Sequence, residues 1–341
     1  MSNNKVLFYS SVKDKRWFIS SGFYINDINA LTLIGYNVQV TNKIFPFFLF
    51  WRYDISFLYF YKKSLIPALI SKVYNKIIIF TGGIDDLNIT SASDKDKFLR
   101  QKIFFKICYF LSNKCNIVSK SDLKNTLELL VQKPTLNAKK LSFFPHCIDT
   151  QNINPILLNT KKNILVSICW MGSVDNVKRK GLDRCIYFLK ALINKDYNYK
   201  LIIIGSLGEG TIFLKNIITD LKVEDFVIFT GELSENLKID YLVKAKYYLQ
   251  FSTYEGFGLA VIEAMLYGCY IIHSNVGGLK DTIGENGLII NDFDNYFNLV
   301  LMFTSVDTNY SKFEQKIIEN RNLILEKYSI LSRSIYFKNN I

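Results

Sequence analysis

Short apolar runs alternate along this chain with longer amphipathic stretches, and the alternation runs twice. In the first half "KVLFYS" (5–10) reads as a strand. A loop with Ser20, Ser21 and Gly22 follows, then a helical stretch "INDINALTLIG" (25–35) that Gly35 is placed to end. "YNVQVTN" (36–42), "DISFLYFY" (54–61) and "KIIIFTGG" (76–83) read as strands, with a helix "SLIPALISKVYN" between the last two. A long helix, "DKFLRQKIFFKICYFLSNK" (96–114), leads into "CNIVSKS". Around 145–160 the pattern pauses at two prolines and polar clusters, which read as a linker. It then restarts with "NILVSICWMGS", "KLIIIGS", "FVIFTG", "YYLQFS" and "YIIHS" as strands, and with "GLDRCIYFLKALIN", "TIFLKNIITDLK" and "LKIDYLVKA" as helices.

This order predicts an α/β chain of two Rossmann-like, doubly wound domains on mostly parallel sheets. The expected spans are 1–155 and 156–325, with a final segment 326–341 that crosses back to the first domain. Open parallel sheets bind ligands beyond the carboxyl ends of their strands. Two such domains facing each other would share one cleft, so chemistry is expected in the loops after residues 10, 81, 172, 205, 231 and 252.

Composition narrows the class. The 341 residues are 49% hydrophobic and 21% charged, which excludes a disordered chain. The net charge of +12 is one-sided: residues 1–155 carry 21 basic against 10 acidic side chains, and residues 156–341 carry 21 against 20. A basic first half implies an anionic partner there. Six cysteines lack paired spacing, and two histidines give no zinc set, so reduced, buried thiols of a cytoplasmic protein are expected. No signal peptide is read at the start. The aromatic stretch at 44–63 is cut by Arg52, Asp54, Lys62 and Lys63 into pieces too short for the ~20 residues of a spanning helix. The helix 96–114 interleaves Lys97, Arg100, Lys102 and Lys106 with Phe98, Phe104, Phe105 and Phe110. With the stretch 44–61 and "KDKRWF" it reads either as an interfacial surface or as a core helix with a basic outer face.

The chemistry concentrates in "FSTYEGFGLAVIEAMLYGCYIIHS" (251–274). A strand ends, Gly256 and Gly258 allow a sharp turn, and "LAVIEAMLY" has helical composition up to Gly268. Amides of Gly256, Phe257, Gly258 and Leu259 at the start of that helix form a natural seat for phosphate. Glu255 lies just outside the helix and Glu263 below its N-terminus. Carboxylates repel phosphate but accept hydrogen bonds from hydroxyls, so the pair suits a ribose on one side of a diphosphate and a sugar on the other. In "GSVDNVKRKGLDRC", Lys178, Arg179 and Lys180 are placed in a loop just before a helix, where Arg179 and Lys180 can neutralise that diphosphate.

These motifs together resemble the retaining glycosyltransferases of the GT-B fold, in the glycogen-synthase-like group 1 family. "EGFG", the second glutamate, "SNVGGLKDTI", "KGLDRCI", "LIIIGSLGEG" and "FTGELSENL" stand in that family's order and spacing, strongly over about 160–290. "GSVDNVKRKGLDR" is similar to the loop of bacterial lipopolysaccharide-core glucosyltransferases. The resemblance implies that Glu255 contacts donor-sugar hydroxyls and that Glu263 binds ribose. Arg179, Lys180 and the amides 256–259 would hold the diphosphate, the backbone of Gly231 to Leu233 the base, and Gly22 would let the first domain approach the phosphate side. It also implies front-face substitution with no metal and no cofactor beyond the nucleotide diphosphate sugar, UDP most often. The acceptor would be a lipid-linked saccharide in O-antigen, lipopolysaccharide or capsule synthesis, with the enzyme cytoplasmic or peripheral on the inner membrane face.

The chain departs from the pattern at Phe251 and Tyr270, where prolines are usual, and at Thr81, where many members place a histidine. Asp85 is the candidate to act there in its stead. Two Asp-x-Asp strings, 94–96 and 292–294, read as solvated loop acids. Rival readings are a basic nucleic-acid- or lipid-binding protein without transferase activity, or a nucleotide-sugar epimerase. The chain shows no nucleic-acid-binding pattern.

Overall fold

In the computed structural model, residues 5–82, 95–131, 138–151, 153 and 155–341 are described. One sheet holds β1 (Lys5–Tyr9), β2 (Asn37–Thr41), β3 (Ile55–Tyr59), β4 (Ile77–Thr81), β5 (Lys114–Ile117) and β6 (Leu141–Phe143). The other holds β7 (Lys162–Ile168), β8 (Lys200–Ile204), β9 (Val227–Gly231), β10 (Ala245–Gln250), β11 (Tyr270–His273) and β12 (Leu288–Ile289). Their orders are β2-β1-β3-β4-β5-β6 and β12-β11-β10-β7-β8-β9, and every pairing among these strands is parallel. The chain divides into two compact units, one of residues 1–151 with 327–341 and one of 152–326.

Parallel strands covered on both faces are apolar almost throughout, as β1, β3, β4 and β8 are, whereas the edge strand β2 (NVQVT) alternates. In the first unit, Leu7, Tyr9, Leu58, Ile78 and Phe80 face one way, onto Phe105, Cys108 and Tyr109 of the helix Lys95–Leu111. Val6, Phe8, Phe57 and Ile79 face the other way, onto Tyr24 and Leu31 of the helix Gly22–Leu33 and Phe337 of the helix Ile330–Asn340. That last helix is fixed by a buried ion pair: Arg333 donates from Nε and an Nη to the two oxygens of Asp27, at 2.7 and 2.8 Å. Its remaining donor reach goes to the carbonyls of Phe144 and Pro145, at 2.9 and 2.8 Å. All six cysteines are free and buried. Burial pushes the thiols of Cys108 and Cys115 up to about 12.

In the second unit, Leu165, Leu201, Ile203, Tyr247, Leu249 and Ile272 form one face of the sheet, packed by the helices Leu182–Ile193, Glu209–Leu221 and Tyr296–Thr308. The strand order reverses between β7 and β10, because the chain leaves β7 toward β9 and returns on its other side. The carboxyl edge at this reversal is the switch point at which open parallel sheets bind ligands.

Candidate active site at the β7/β10 switch point

The loop after β10 runs to Gly258, which adopts a left-handed conformation (φ +89°) and caps the helix Leu259–Leu266. Only a residue without Cβ takes this turn readily. Val261 and Ile262 N–H groups donate back to the Gly258 carbonyl at 3.0 and 3.2 Å. Leu259 and Ala260 stand ahead of that ladder, as the first amides of any α-helix do. Gly256, Phe257 and Gly258 are buried, and Leu259 is half-buried.

The loop after β7 ends at Ser173, whose hydroxyl accepts from the Asn176 N–H at 3.3 Å and starts a two-turn helix, Val174–Lys180. Lys178, Arg179 and Lys180 are thus its last turn, not a loop as the sequence pattern predicts. The helix places Asp175 at its start and three cations at its end, which suits its dipole. Gly181 ends it at φ +70°. A Cβ there would lie 2.0 Å from the Phe251 carbonyl oxygen, so glycine is what lets the two loops touch.

That contact brings the predicted residues together. Thr253 N–H donates to the Arg179 carbonyl at 2.8 Å. Arg179 donates to the Tyr254 carbonyl at 3.3 Å and to Asn176 Oδ1 at 2.8 Å. Lys180 Nζ donates to Glu255 Oε2 in a short ion pair. Glu255 is only 8% exposed. Burial pushes its carboxyl up, but Lys180, then Arg179 and the Phe257 amide, outweigh it and leave the group below the ordinary carboxylate range. Glu255 is therefore a charged acceptor at neutral pH. Lys180 uses one of its three donors on it and keeps two.

Glu263, from the helix below, is paired with Lys238 Nζ at 2.9 Å, and Lys238 also reaches Glu235 at 2.9 Å. Burial raises the Glu263 carboxyl, and Lys238 only partly offsets this. The two glutamates sit in opposite electrostatic settings: one net cationic, one poorly solvated and shared with a second acid.

Two supporting groups escaped the sequence reading. Gln250, the last residue of β10, donates from Nε2 to Glu255 Oε2 at 3.1 Å and to Ser252 Oγ at 2.7 Å. Its Oε1 accepts from the Tyr248 hydroxyl at 3.2 Å, which in turn accepts the Ile168 N–H at 3.3 Å. The available signal was a glutamine closing the apolar run 247–249. Lys238 was marked only by Glu235 three residues before it. The loop after β11 closes the arrangement: Gly278 N–H donates to the Glu255 carbonyl at 2.7 Å, and the Ser274 hydroxyl donates to the Ser252 carbonyl at 2.6 Å.

Gly231 and Leu233 lie at the carboxyl end of β9, two strands from the switch point, with Gly231 at φ +72° and open space beside it. Gly22 opens the helix Gly22–Leu33 in the first unit. Asp85 lies outside the described residues, as does Asp94. Asp292 and Asp294 are exposed, with the Asp294 N–H donating to Asp292 Oδ1 at 2.9 Å, a local turn. His273, in register with Gln250, is fully buried, and burial lowers its imidazole to about 4.

A buried lysine–glutamate pair beside a glycine-capped helix at a switch point fits nucleotide-sugar chemistry, and comparison with known proteins decides the family. The family described as Glycosyl transferases group 1 matches residues 150–321, half of the chain and the whole of this site. The chain belongs to that family. Among its relatives, a human phosphatidylinositol N-acetylglucosaminyltransferase chain is 26% identical over 196 residues, covering 55% of this chain and 39% of the relative. The Campylobacter jejuni N-acetylgalactosamine-N,N'-diacetylbacillosaminyl-diphospho-undecaprenol 4-alpha-N-acetylgalactosaminyltransferase is 27% identical over 175 residues, covering 49% and 44%. The matched segments thus span less than half of either relative. Anabaena HepE, solved in complex with UDP and glucose, superposes with a TM-score of 0.75 at 14% identity, covering 98% of both chains. This member of the group 1 family therefore has the GT-B fold. Among the described residues no helix is long and apolar enough to cross a membrane.

Proposed function

We propose that this glycosyltransferase moves a hexose, with retention of anomeric configuration, from a UDP-sugar to a lipid-linked saccharide in bacterial surface-polysaccharide synthesis. The carrying observation is the Glu255–Lys180 pair beside the Gly258-capped helix. Donor diphosphate sits on the amides of Gly256, Gly258 and Leu259 and on Arg179 and Lys180, while the Phe257 amide holds Glu255. Glu255 Oε2 is already held by Lys180 and Gln250, so the carboxylate is oriented for sugar hydroxyls. Glu263 and Lys238 take the ribose, and the backbone of Gly231 to Leu233 takes the base. Gly22 and Asp85 are assigned to the acceptor-side unit.

Leaving-group charge grows on the diphosphate as the glycosidic bond breaks. Arg179, Lys180 and the helix amides stabilise that charge, and the departing phosphate oxygen takes the acceptor's proton. No protein nucleophile is then needed, and no metal. Two relatives support a lipid-borne acceptor, since their names carry phosphatidylinositol and diphospho-undecaprenol. Such an acceptor would bring the enzyme to the inner face of the membrane. The test is a thermal-shift screen of UDP-, GDP- and ADP-sugars, then turnover on the hit with the product anomer read by NMR, with and without chelator. An inverted product, activity abolished by chelator and restored by manganese, or no response to any nucleotide sugar overturns the reading.

A further inference from the structure

The helical layer on one face of the first unit's sheet is apolar on both of its sides. The helix Leu65–Val73 buries Pro67, Ala68 and Ser71 against the sheet, yet it also turns Ile66, Leu69 and Val73 outward, the last 76% exposed. The helix Lys95–Leu111 buries Phe105, Cys108 and Tyr109, and turns out Leu99, Ile103, Ile107 and Phe110, the last 69% exposed. Spacings of four, four and three residues put those four on one stripe. A soluble helix with one buried face normally carries polar residues on the other. These two helices pack against each other, so their outer stripes are neighbours.

The short turns at 45–48 and 50–52 extend the same surface, because the first packs on Leu65–Val73 and Phe50 stacks on Tyr74 at 4.4 Å. They present Phe45 (69% exposed) and Trp51 (64% exposed). A patch of this kind on a monomer marks an interaction surface.

Charge selects the occupant. Residues 43–76 and 98–114 contain ten lysines and arginines and a single acid, Asp54. Asp54 is turned elsewhere, accepting from the Lys5 N–H at 3.0 Å. At the rim, Lys140 reaches the Phe110 carbonyl at 3.0 Å, and its ammonium is held below the ordinary lysine range by burial and by the like charge of Lys72. A second copy of this chain on the same face would bring two such basic rims together. An anionic lipid surface would instead relieve the crowding and accept the apolar stripes between headgroups.

We propose that this face, built from the outer stripes of Leu65–Val73 and Lys95–Leu111 and the aromatic turns at 45–52, docks the enzyme on an anionic membrane. The inference rests on the lipid-linked acceptor of the proposed function and names the surface that would meet the bilayer. It adds aliphatic stripes that the basic and aromatic pattern of the sequence does not single out, and it assigns Phe105 to the core.

The test is co-sedimentation of the full chain with vesicles of phosphatidylglycerol and phosphatidylcholine, against phosphatidylcholine alone. Binding is expected on the anionic vesicles only, weakening with salt. Leu99→Gln/Ile103→Gln/Phe110→Gln should lower the partition coefficient at least about tenfold, with the thermal midpoint and the UDP-induced shift unchanged. Ile66→Gln/Val73→Gln gives a second, independent variant should the first fold poorly. Wild-type protein that ignores anionic vesicles at low salt, well-folded variants that bind like wild type, or a solution dimer that the same substitutions dissociate overturns the proposal. Vesicle binding without any response to nucleotide sugars would strike the transferase reading and leave the docking surface standing.

Discussion

Lys180→Met separates the stability role of the central ion pair from the role proposed for it in the reaction. The substitution keeps most of the aliphatic stem and removes the charge. Glu255 is left with the charge of Arg179, Gln250 at 3.1 Å and the Phe257 amide, inside a loop that burial already makes hostile to a carboxylate. Breaking a buried pair from one side costs about 3–5 kcal/mol. The lower end, ~3 kcal/mol, applies because the Lys180 side chain keeps 21% exposure and the Glu255 side chain 11%.

The cost has a ceiling set by protonation. With Lys180 gone, the largest influence on Glu255 is burial, which raises its pKa, and taking up a proton ends the penalty. Each pH unit below that raised pKa recovers up to ~1.4 kcal/mol relative to wild type, whose Glu255 is held low and stays charged. The difference between the two proteins is therefore largest near pH 8 and shrinks toward pH 5. Urea denaturation at both values measures it. Glu255→Gln/Lys180→Met should recover most of the lost stability, since two uncharged side chains of similar size replace the pair. Turnover should not recover: both single variants and the double should lose about 10²-fold or more in kcat. Should Lys180→Met cost under about 0.5 kcal/mol at pH 8 with no pH dependence, the pair is not the buried electrostatic unit described.

Gly181→Ala forces a Cβ to within 2.0 Å of the Phe251 carbonyl at a left-handed position, so a loss of at least about 1–2 kcal/mol is expected by denaturation, with weaker UDP binding by calorimetry. Arg333→Leu strands the Asp27 carboxylate in the first unit and should cost about 3–5 kcal/mol, whereas Arg333→Leu/Asp27→Leu should cost clearly less. His146 and His273 are both lowered to about 4 by burial, so between pH 6.5 and 4 the unfolded chain binds more protons than the folded one. Stability should therefore fall as pH drops through that window, and His273→Gln should flatten the slope in urea titrations. Gln250→Leu should raise KM for the donor and lower kcat, with the melting midpoint moving little; a variant with wild-type kinetics would remove Gln250 from the site.

The fold was legible because most of the longer parallel strands are written as nearly unbroken apolar runs. "KVLFYS", "DISFLYFY" and "KLIIIGS" contain the strands found there, and "YYLQFS" overlaps β10, which starts two residues earlier at Ala245. The helix Lys120–Val131 and the three-residue β6 were not, since a short edge strand carries too few apolar positions to stand out. The helix Val174–Lys180 was missed for a different reason. Seven residues with one buried side chain, Val177, show no period, and what makes them helical is the Ser173 cap, the terminal charges and the glycine that stops them.

The same distinction runs through the site. Glu255, Glu263 and the glycine turn announce themselves because they are local in sequence. Their partners do not: Lys180 is 75 positions from Glu255, and Lys238 is 25 from Glu263. Gln250 is close in sequence, but only the parallel registration of β10 with β7 and β11 tells that its side chain lies on the buried face opposite Leu249, beside Glu255. A carboxylate can be placed by its own loop, whereas its protonation state is decided by what the fold brings to it. Glu255 and Glu263 are the same residue type within one short stretch, yet one is driven down by two cations and the other up by burial and a third acid. This difference keeps the first a fixed anion and makes the charge of the second depend on its pairing with Lys238.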